Sequence, residues 1–274
     1  MAIVALPPQG DSGVCTPEGE AMQTPAVFWS RCAEVRKELN VPGYWDALEE
    51  NCNQWAEEIS ITPFWKAVKD QRVSWSNEFQ RATSGALLTN PFLPNFAGKE
   101  AVRTREKIFD ACSKHDKPIS EVWRREGPAV PQINDLVRTR VECQFLDGVE
   151  FFADHLATLA TDQDVKWSRS RKGGLEGYFA QHFYFDQPVV FRFGGGSELA
   201  TLQCEIQIAT ALATRLWEES HKIYEHWRTQ KEKRDDWQWN PTDPRFVARQ
   251  LGHMIHLADG LLVQLRNTSI NEAS

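Results

Sequence analysis

Hydrophobic residues recur at helical spacing over the first half of the chain. From about Pro25 to Glu126 the apolar positions follow one another at steps of three and four residues, which predicts a series of amphipathic helices. We expect these helices at Ala26–Leu39, Trp45–Ile59, Pro63–Arg81 and Arg103–His115. The four tryptophans at ten-residue intervals, which we expect to be packing anchors, are Trp45, Trp55, Trp65 and Trp75.

After Ile133 the pattern changes to short segments that favour β-structure. Thr139–Phe145 alternates and predicts a strand, whereas Gly148–Leu159 has the spacing of an amphipathic helix. The polar, basic segment Asp162–Glu176 contains glycines and is predicted to be a loop. Three more strands are expected at Tyr178–Phe185, Val189–Phe193 and Thr201–Ile208, with a turn at Gly194–Gly196.

The last part of the chain returns to a helical pattern. Helices are predicted at Ala209–Gln230 and Phe246–Leu265, joined by a polar loop at Lys231–Pro244. Helices, then a compact set of strands, then helices predict an α+β fold with a mixed β-sheet of about five strands flanked by helices. The expected divisions are a flexible lead at 1–24, a helical N-terminal region at 25–100, a core at 101–230, and a loop with a C-terminal helix at 231–274.

Composition narrows the class of protein. The chain has 274 residues, of which 41% are hydrophobic and 25% charged, as in ordinary soluble domains. No apolar run is long enough to span a membrane and no secretory leader is evident, so we expect a cytoplasmic protein without a membrane partner. The six cysteines are dispersed, which favours reduced thiols over a disulfide scaffold or a zinc site. A net charge of -7 disfavours non-specific nucleic-acid binding.

Two carboxylates at predicted strands are candidates for chemistry. Asp135 precedes one strand and Glu205 lies in another, where an unpaired carboxylate is costly. A magnesium ion would satisfy both, because Mg²⁺ takes one or two carboxylates and leaves its other positions to water and phosphate. Basic residues close by would then neutralise the phosphates, and Tyr178 offers a flat face for a base. Together these residues suit phosphoryl or pyrophosphoryl transfer.

Structural roles are open alternatives for each of these residues. An aspartate before a strand is a common turn residue, and Glu205 could face solvent together with Gln207. The segment Lys166–Lys172 could be a solvated loop. The chain has no P-loop motif, and Gly194–Gly196 lies between strands instead of opening a helix, which argues against a dinucleotide fingerprint.

Four sequence strings resemble motifs of one enzyme family. Taken in order, they resemble the synthetase domain of the RelA/SpoT family, which includes the small alarmone synthetases and their toxic relatives. The resemblance covers roughly Ala101–His226 and implies a nucleotidyltransferase-like synthetase fold. The strings are Ala101–Ile108 (AVRTREKI), similar to R-x-K-x-x-x-S-I; Asp135–Arg140 (DLVRTR), similar to D-x-x-G-x-R; Gly177–His182 (GYFAQH), similar to G-Y-R-S-x-H; and Glu205–Thr210 (EIQIAT), similar to E-x-Q-I-R-T.

The resemblance implies a pyrophosphokinase, which moves the β,γ-pyrophosphate of ATP to a ribose 3′-hydroxyl and releases AMP. Asp135 would then hold Mg²⁺, and Glu205 would complete the metal site or accept the hydroxyl proton, with Arg140 as a third catalytic residue. Tyr178 would stack on the acceptor base. The residues expected to bind nucleotide are Arg103 or, in a competing register, Arg105, together with Arg138, Lys166, Arg169, Arg171, Lys172, Tyr178, His182, Gln207 and His221.

Departures from the motifs leave the acceptor open. Arg138 stands where the family has glycine, while Phe179 and Ala209 stand where it has arginine. The acceptor could be GDP or GTP, ADP or ATP, or the 3′ end of tRNA, and the product could act as a growth-inhibiting toxin. A catalytically silent nucleotide-binding module is the alternative of another class. The N-terminal helices could dock an antitoxin or inhibitor protein, or form the interface of a homo-oligomer.

Overall fold

The chain folds into an α+β structure with one mixed sheet, as its pattern predicts. The computed structural model describes residues 25–114, 118–174, 177–228 and 237–273, leaving aside the side chains of 113–114, 221–228, 237 and 270–273. The predicted lead at 1–24 and residues 231–236 of the predicted loop therefore lie outside the described residues. No helix in the described ranges is long and apolar enough to cross a membrane.

Three helices form the N-terminal region. They are α1 (Pro25–Val35), α2 (Tyr44–Ser60) and α3 (Pro63–Thr83), with a 3₁₀ turn at Lys37–Asn40. The first helix ends four residues earlier than predicted, because Arg36 adopts an extended conformation and donates hydrogen bonds to the carbonyls of Arg124 and Gly127. The predicted tryptophan anchors are confirmed: Trp55, Trp65 and Trp75 are buried and Trp45 packs against the same core.

Five strands form the sheet. They are β1 (Ala97–Gly98), β2 (Val137–Cys143), β3 (Trp167–Lys172), β4 (Ala180–Phe193) and β5 (Gly196–Thr210). Their order across the sheet is β1-β2-β5-β4-β3. Only β2 and β5 run parallel, and the other neighbouring pairs are antiparallel.

Two predictions about these strands are wrong. The basic segment expected to be a loop contains β3, an edge strand with polar residues on both faces and therefore no hydrophobic alternation to reveal it. The two strands expected on either side of Pro188 are one strand, β4. Pro188 pairs with Thr201 within the long β4–β5 hairpin without interrupting it, and the hairpin turns at Gly194 and Gly195 with positive φ angles.

The remaining helices enclose the sheet. They are α4 (Ala101–Lys114), α5 (Ile119–Val122), α6 (Leu146–Asp162), α7 (Ala211–Arg228) and α8 (Pro244–Ala273), with a second 3₁₀ turn at Trp237–Trp239. The C-terminal helix is thus ten residues longer than the predicted helix.

The two faces of the sheet differ in polarity, and this difference positions the candidate site. On one face, Phe183, Phe185 and Ile206 are buried in a single hydrophobic cluster with residues of α2, α3 and α6. Residues at alternate positions of the same strands are polar and point to the other face. The thiols of Cys32, Cys52, Cys143 and Cys204 are buried in the structure.

Candidate active site on the polar face of the sheet

Two rows of polar side chains cross the middle of the sheet. Strand register aligns residues of β2, β5 and β4, and the alternation of side chains puts both rows on the face opposite the hydrophobic cluster. The rows are Arg138–Glu205–Tyr184 and Arg140–Gln207–His182.

Glu205 is the centre of a hydrogen-bonded chain. Its Oε2 lies 3.2 Å from Nδ1 of His182, and its Oε1 accepts a hydrogen bond of 2.5 Å from Nε2 of Gln207. Nε2 of His182 lies 3.2 Å from the hydroxyl of Tyr178. With His182 donating from Nδ1 to the carboxylate, Nε2 accepts the Tyr178 proton, so Tyr178, His182 and Glu205 form one chain.

The surroundings of Glu205 keep its carboxylate ionised. Burial raises the pKa of Glu205, but the His182 imidazole and the Gln207 amide outweigh burial, and the net pKa lies below its ordinary value. The charge of Asp135 acts in the opposite direction and raises the pKa of Glu205. The two carboxylates are therefore close enough for the charge of Asp135 to influence Glu205.

Asp135 is buried between two lysines. Its Oδ2 accepts a hydrogen bond of 2.7 Å from Lys99 Nζ, and its Oδ1 lies 2.7 Å from Lys107 Nζ. Burial raises the pKa of Asp135, but Lys107 and Lys99 together lower it to about 2. Burial and the neighbouring Lys107 lower the pKa of Lys99, whereas the charge of Asp135 raises it. A third cation, Arg138 Nη1, lies 4.0 Å from Oδ2.

The positions of β1 and α4 bring Lys99 and Lys107 to Asp135. Lys99 follows β1, whose Gly98 lies so close to α2 that a Cβ there would be 2.6 Å from the carbonyl carbon of Cys52. Lys107 lies one turn after Arg103 on α4, so these two side chains share a face of that helix. Arg103 Nη1 contacts Glu106 at 3.2 Å.

Arg140 and Gln207 link the second row to α7. Two guanidinium nitrogens of Arg140 lie 3.4 Å from the Gln207 amide oxygen, and Nη1 lies 3.8 Å from Glu218. These contacts are long for charge-assisted hydrogen bonds. Among the side chains that the structure describes, the charges of Arg138 and Arg140 are therefore only loosely compensated.

The loop before β4 is held against α8. Gly177 adopts a positive φ of 67°, and a Cβ on Gly252 of α8 would lie 2.0 Å from the Gly177 carbonyl oxygen. The rings of Phe179 and His256 are stacked with centroids 3.8 Å apart. The Tyr178 ring packs on Trp217 at 4.7 Å, and burial raises the pKa of Tyr178 to about 12. The position of Tyr178 thus depends on both α7 and α8.

Two residues of β3 expected to bind nucleotide lie away from the Glu205 face, and two lysines lie at the ends of the same strand. Arg169 and Arg171 alternate to the opposite face of β3 and form ion pairs with Asp154 and Glu150 of α6. Lys166, just before β3, pairs with Asp186 at 3.0 Å. Lys172 is exposed at the end of β3.

Two other expected residues also differ from their assigned roles. Arg105 lies over the rings of Trp29 and Trp45 at 5.2 and 5.3 Å, on the N-terminal helices, so the register that places Arg103 beside Lys107 fits this face better. Both ring nitrogens of His182 are engaged within the chain, which leaves neither for a phosphate. The side chain of His221 is outside the described residues.

Lys99, Lys107 and Tyr184 are site residues that the sequence analysis missed. The hydroxyl of Tyr184 lies 3.2 Å from Nδ1 of His182. Tyr184 lies two residues after His182 on a strand, so alternation predicts that both side chains point to the same face. Lys107 lies four residues after Arg103 on a helix, which predicts a shared helix face in the same way. No sequence signal identifies Lys99, because β1 has only two residues.

The donors present fit a magnesium ion, although no group of three metal-binding side chains occurs among the described residues. Mg²⁺ needs only one or two protein carboxylates. Asp135 Oδ1 is buried and receives no hydrogen bond of good geometry, despite its ion contact with Lys107. An oxygen of this kind can accept a cation, and Arg138, whose Nη1 lies 4.0 Å from Oδ2 of Asp135, pairs in register with Glu205 on the neighbouring strand.

A cavity lies mainly on the opposite face of the sheet. It has a volume of about 770 Å³ and is enclosed by α6, α7 and α8 around the open end of the sheet. Gln181 and Thr210 line it from the face opposite Glu205, and Tyr178 lies in its wall. The buried Oε1 of Gln181 has no hydrogen-bond partner.

Comparisons with known proteins give structural likenesses only. No protein-family model matches the chain, and no curated protein matches its sequence. The structure is similar to small alarmone synthetase 1 from Bacillus subtilis, with 16% identity, 80% of this chain and 98% of that chain covered, and a TM-score of 0.47. The same enzyme bound to its product pppGpp gives 15% identity, 78% and 96% coverage, and a TM-score of 0.46.

A GTP pyrophosphokinase family protein from Streptococcus pneumoniae is also similar. It has 18% identity, covers 81% of this chain and 97% of its own, and has a TM-score of 0.45. Likenesses of this size do not identify a function. The function proposed below therefore depends on the side chains of this chain.

Proposed function

We propose that this chain is a pyrophosphokinase, which transfers the β,γ-pyrophosphate of ATP to the 3′-hydroxyl of a purine nucleotide. The acceptor is GDP or GTP, with ADP or ATP as the other purine choice. The observation that carries the proposal is the juxtaposition of an ionised, oriented Glu205 with a cluster of cations around Asp135. A base beside a phosphate-neutralising cluster is what this transfer requires.

Glu205 is the group that accepts the proton of the attacking hydroxyl. As the 3′-oxygen bonds to the β-phosphorus, the bond from that phosphorus to the α,β-bridging oxygen breaks and AMP leaves. The His182 and Gln207 contacts fix the carboxylate, and the Tyr178 hydroxyl fixes the tautomer of His182. The carboxylate is thus held ready for the proton before substrate arrives.

The cations stabilise the charge of the transferred group. Arg138 and Arg140 are only loosely compensated, and Lys107 is partly exposed. Arg138 and Arg140 pair in register with Glu205 and Gln207, and Lys107 contacts Asp135, so these cations can neutralise triphosphate oxygens as the bond to AMP breaks. Arg103 extends this positive surface by one helical turn of α4.

Asp135, together with Glu205, would hold Mg²⁺ when the ion is bound. The ion would supply further neutralisation of phosphate charge. Binding of the ion must compete with Lys99 and Lys107, which already neutralise Asp135. This competition also favours a second candidate function, a catalytically silent nucleotide-binding module in which the lysines replace the metal.

Transfer from γ-labelled ATP tests the proposal. The protein is incubated with Mg²⁺ and GDP, GTP, ADP, ATP or tRNA, and the products are resolved. Label in a nucleotide tetra- or pentaphosphate supports the proposal, whereas label only in tRNA moves the acceptor to its 3′ end. ATP binding without transfer to any acceptor supports the silent module.

A single substitution tests the role of Glu205. We expect Glu205→Gln to lower transfer by at least about 100-fold, because the amide cannot accept the proton. Glu198→Gln is the matched control, since Glu198 is exposed on the same strand. Circular dichroism checks that both variants fold. Full activity of Glu205→Gln would remove Glu205 from its assigned role.

A further inference from the structure

The two lysines that hold Asp135 differ in exposure and in hydrogen bonding. Lys99 Nζ donates a hydrogen bond of 2.7 Å to Oδ2, and only 12% of the Lys99 side chain is exposed. Lys107 Nζ lies 2.7 Å from Oδ1, but 41% of its side chain is exposed. Oδ1 receives no hydrogen bond of good geometry from the described residues, so Lys107 holds it mainly through charge.

The elements that carry the two lysines add to this difference. The backbone N–H of Lys99 donates a hydrogen bond of 2.8 Å to the carbonyl of Leu136, which directly follows Asp135, so Lys99 is tied to the segment that it neutralises. Lys107 lies on α4 and reaches Asp135 through a flexible four-carbon side chain. Lys99 is therefore a fixed part of the buried cluster, whereas Lys107 can leave the carboxylate by side-chain rotation alone.

The charges around Asp135 oppose the entry of a bare divalent cation. Arg138 Nη1 is a third cation beside this carboxylate, at 4.0 Å from Oδ2. A divalent ion that enters alone is repelled by three positive charges, and such repulsion is strong where the effective dielectric constant is low. An anion must therefore enter with the ion, and the triphosphate of ATP is the anion that the proposed function supplies.

A bound triphosphate offers Lys107 a second anion. Lys107 lies one turn after Arg103 on α4, on the helix face that the proposed function assigns to the phosphates. Its ammonium group is a strong hydrogen-bond donor to phosphate oxygens. When Lys107 turns to a phosphate, Asp135 keeps Lys99 as its partner, and Oδ1 becomes free to accept a metal ion.

We propose that Lys107 is an exchangeable counterion, which neutralises Asp135 in the free chain and moves to the triphosphate when ATP enters with its divalent ion. The exchange makes Oδ1 available to the ion, whereas Lys99 stays on Oδ2. It follows that bare divalent ions bind weakly and that metal and nucleotide bind together, with Lys107 as a positioning residue. The inference rests on the ATP binding of the proposed function and is independent of the transfer step.

Metal binding without turnover tests the proposal, with Mn²⁺ as the probe and electron paramagnetic resonance as the readout of free ion. In the nucleotide-free chain, we expect Lys107→Met to bind Mn²⁺ at least about tenfold more tightly than wild type, because Oδ1 is released and a positive charge is removed. With Mn²⁺ and α,β-methylene ATP, which cannot transfer its pyrophosphate, we expect Lys107→Met to bind the complex at least about tenfold more weakly. Lys66→Met is the matched control, since Lys66 is an exposed lysine of α3.

The opposite signs of the two shifts separate this proposal from a structural role and from the proposed function. Weaker binding of both probes by Lys107→Met, or a wild type that binds bare Mn²⁺ as tightly as the variant, would overturn the exchange. Opposite shifts without transfer to any acceptor would support the exchange and overturn only the pyrophosphokinase. Lys107→Arg keeps the charge and should resemble wild type with both probes. Lys107→Gln repeats the test if circular dichroism shows that Lys107→Met does not fold.

Discussion

The arginines of β2 and those of β3 belong to the same sheet but have different surroundings. On β3, Arg171 Nη2 lies 2.6 Å from Glu150, and Arg169 is in direct contact with Asp154. On β2, the ion contacts of Arg138 and Arg140 with described carboxylates are longer, at 4.0 and 3.8 Å. An arginine whose carboxylate is in contact has little charge to offer a ligand, so the β2 pair is the better candidate for binding phosphate.

Replacing each pair of arginines by glutamine tests this comparison, and the β2 replacement has the largest expected effect on transfer. The double variants Arg138→Gln/Arg140→Gln and Arg169→Gln/Arg171→Gln change the net charge equally. We expect the β2 variant to lower kcat/KM for transfer on the order of 100-fold, about 2.7 kcal/mol, because it removes donors to the transferred group. We expect the β3 variant to remain within about twofold of wild type.

Equal losses in the two double variants would contradict the comparison. They would show that the sheet acts through its overall positive charge, whichever strand carries it. Raising the salt concentration separates the two cases, because a general charge effect is screened and short contacts are screened less.

A second comparison sets a buried ion pair, Lys99 with Asp135, against an exposed ion pair, Lys166 with Asp186. We expect Lys99→Met to lower the free energy of unfolding by about 2 kcal/mol, because buried Asp135 loses a partner. Lys166→Met is the control, since its ion pair with Asp186 involves a largely exposed lysine and should matter by less than about 1 kcal/mol. Urea denaturation of both variants measures the difference.

The pH dependence of the free energy of unfolding tests whether the Asp135 carboxylate stabilises the fold. Its pKa of about 2 in the folded chain is below the ordinary 3.8. The carboxylate therefore stabilises the fold above about pH 4 and loses this contribution as the pH falls towards 2. In Lys99→Met the pKa of Asp135 should lie closer to 3.8, so the loss should be smaller and complete at a higher pH than in wild type. An unchanged acid limb of the stability curve would contradict the assignment.

Local patterns predict the face that carries Glu205 better than the residues around Asp135. Glu205 and Gln207 are two residues apart on a strand, so their shared face follows from alternation. Lys99 meets Asp135 only because a two-residue strand pairs with β2, and that contact is set by tertiary packing. The same limit applies to β3, whose edge position and ion pairs with α6 replace the hydrophobic pattern of a buried strand.

The smallest expected effect is the change in the free energy of unfolding when a β3 ion pair is removed. Arg169 contacts Asp154, but both side chains are about a third or more exposed. We expect Arg169→Gln to change the free energy of unfolding by less than about 1 kcal/mol, and the difference to shrink with added salt. Urea denaturation at low and high salt measures it. A larger, salt-independent loss would mean that Arg169 supports the sheet edge through packing, and the two arginine pairs would then differ in structural role as well as in available charge.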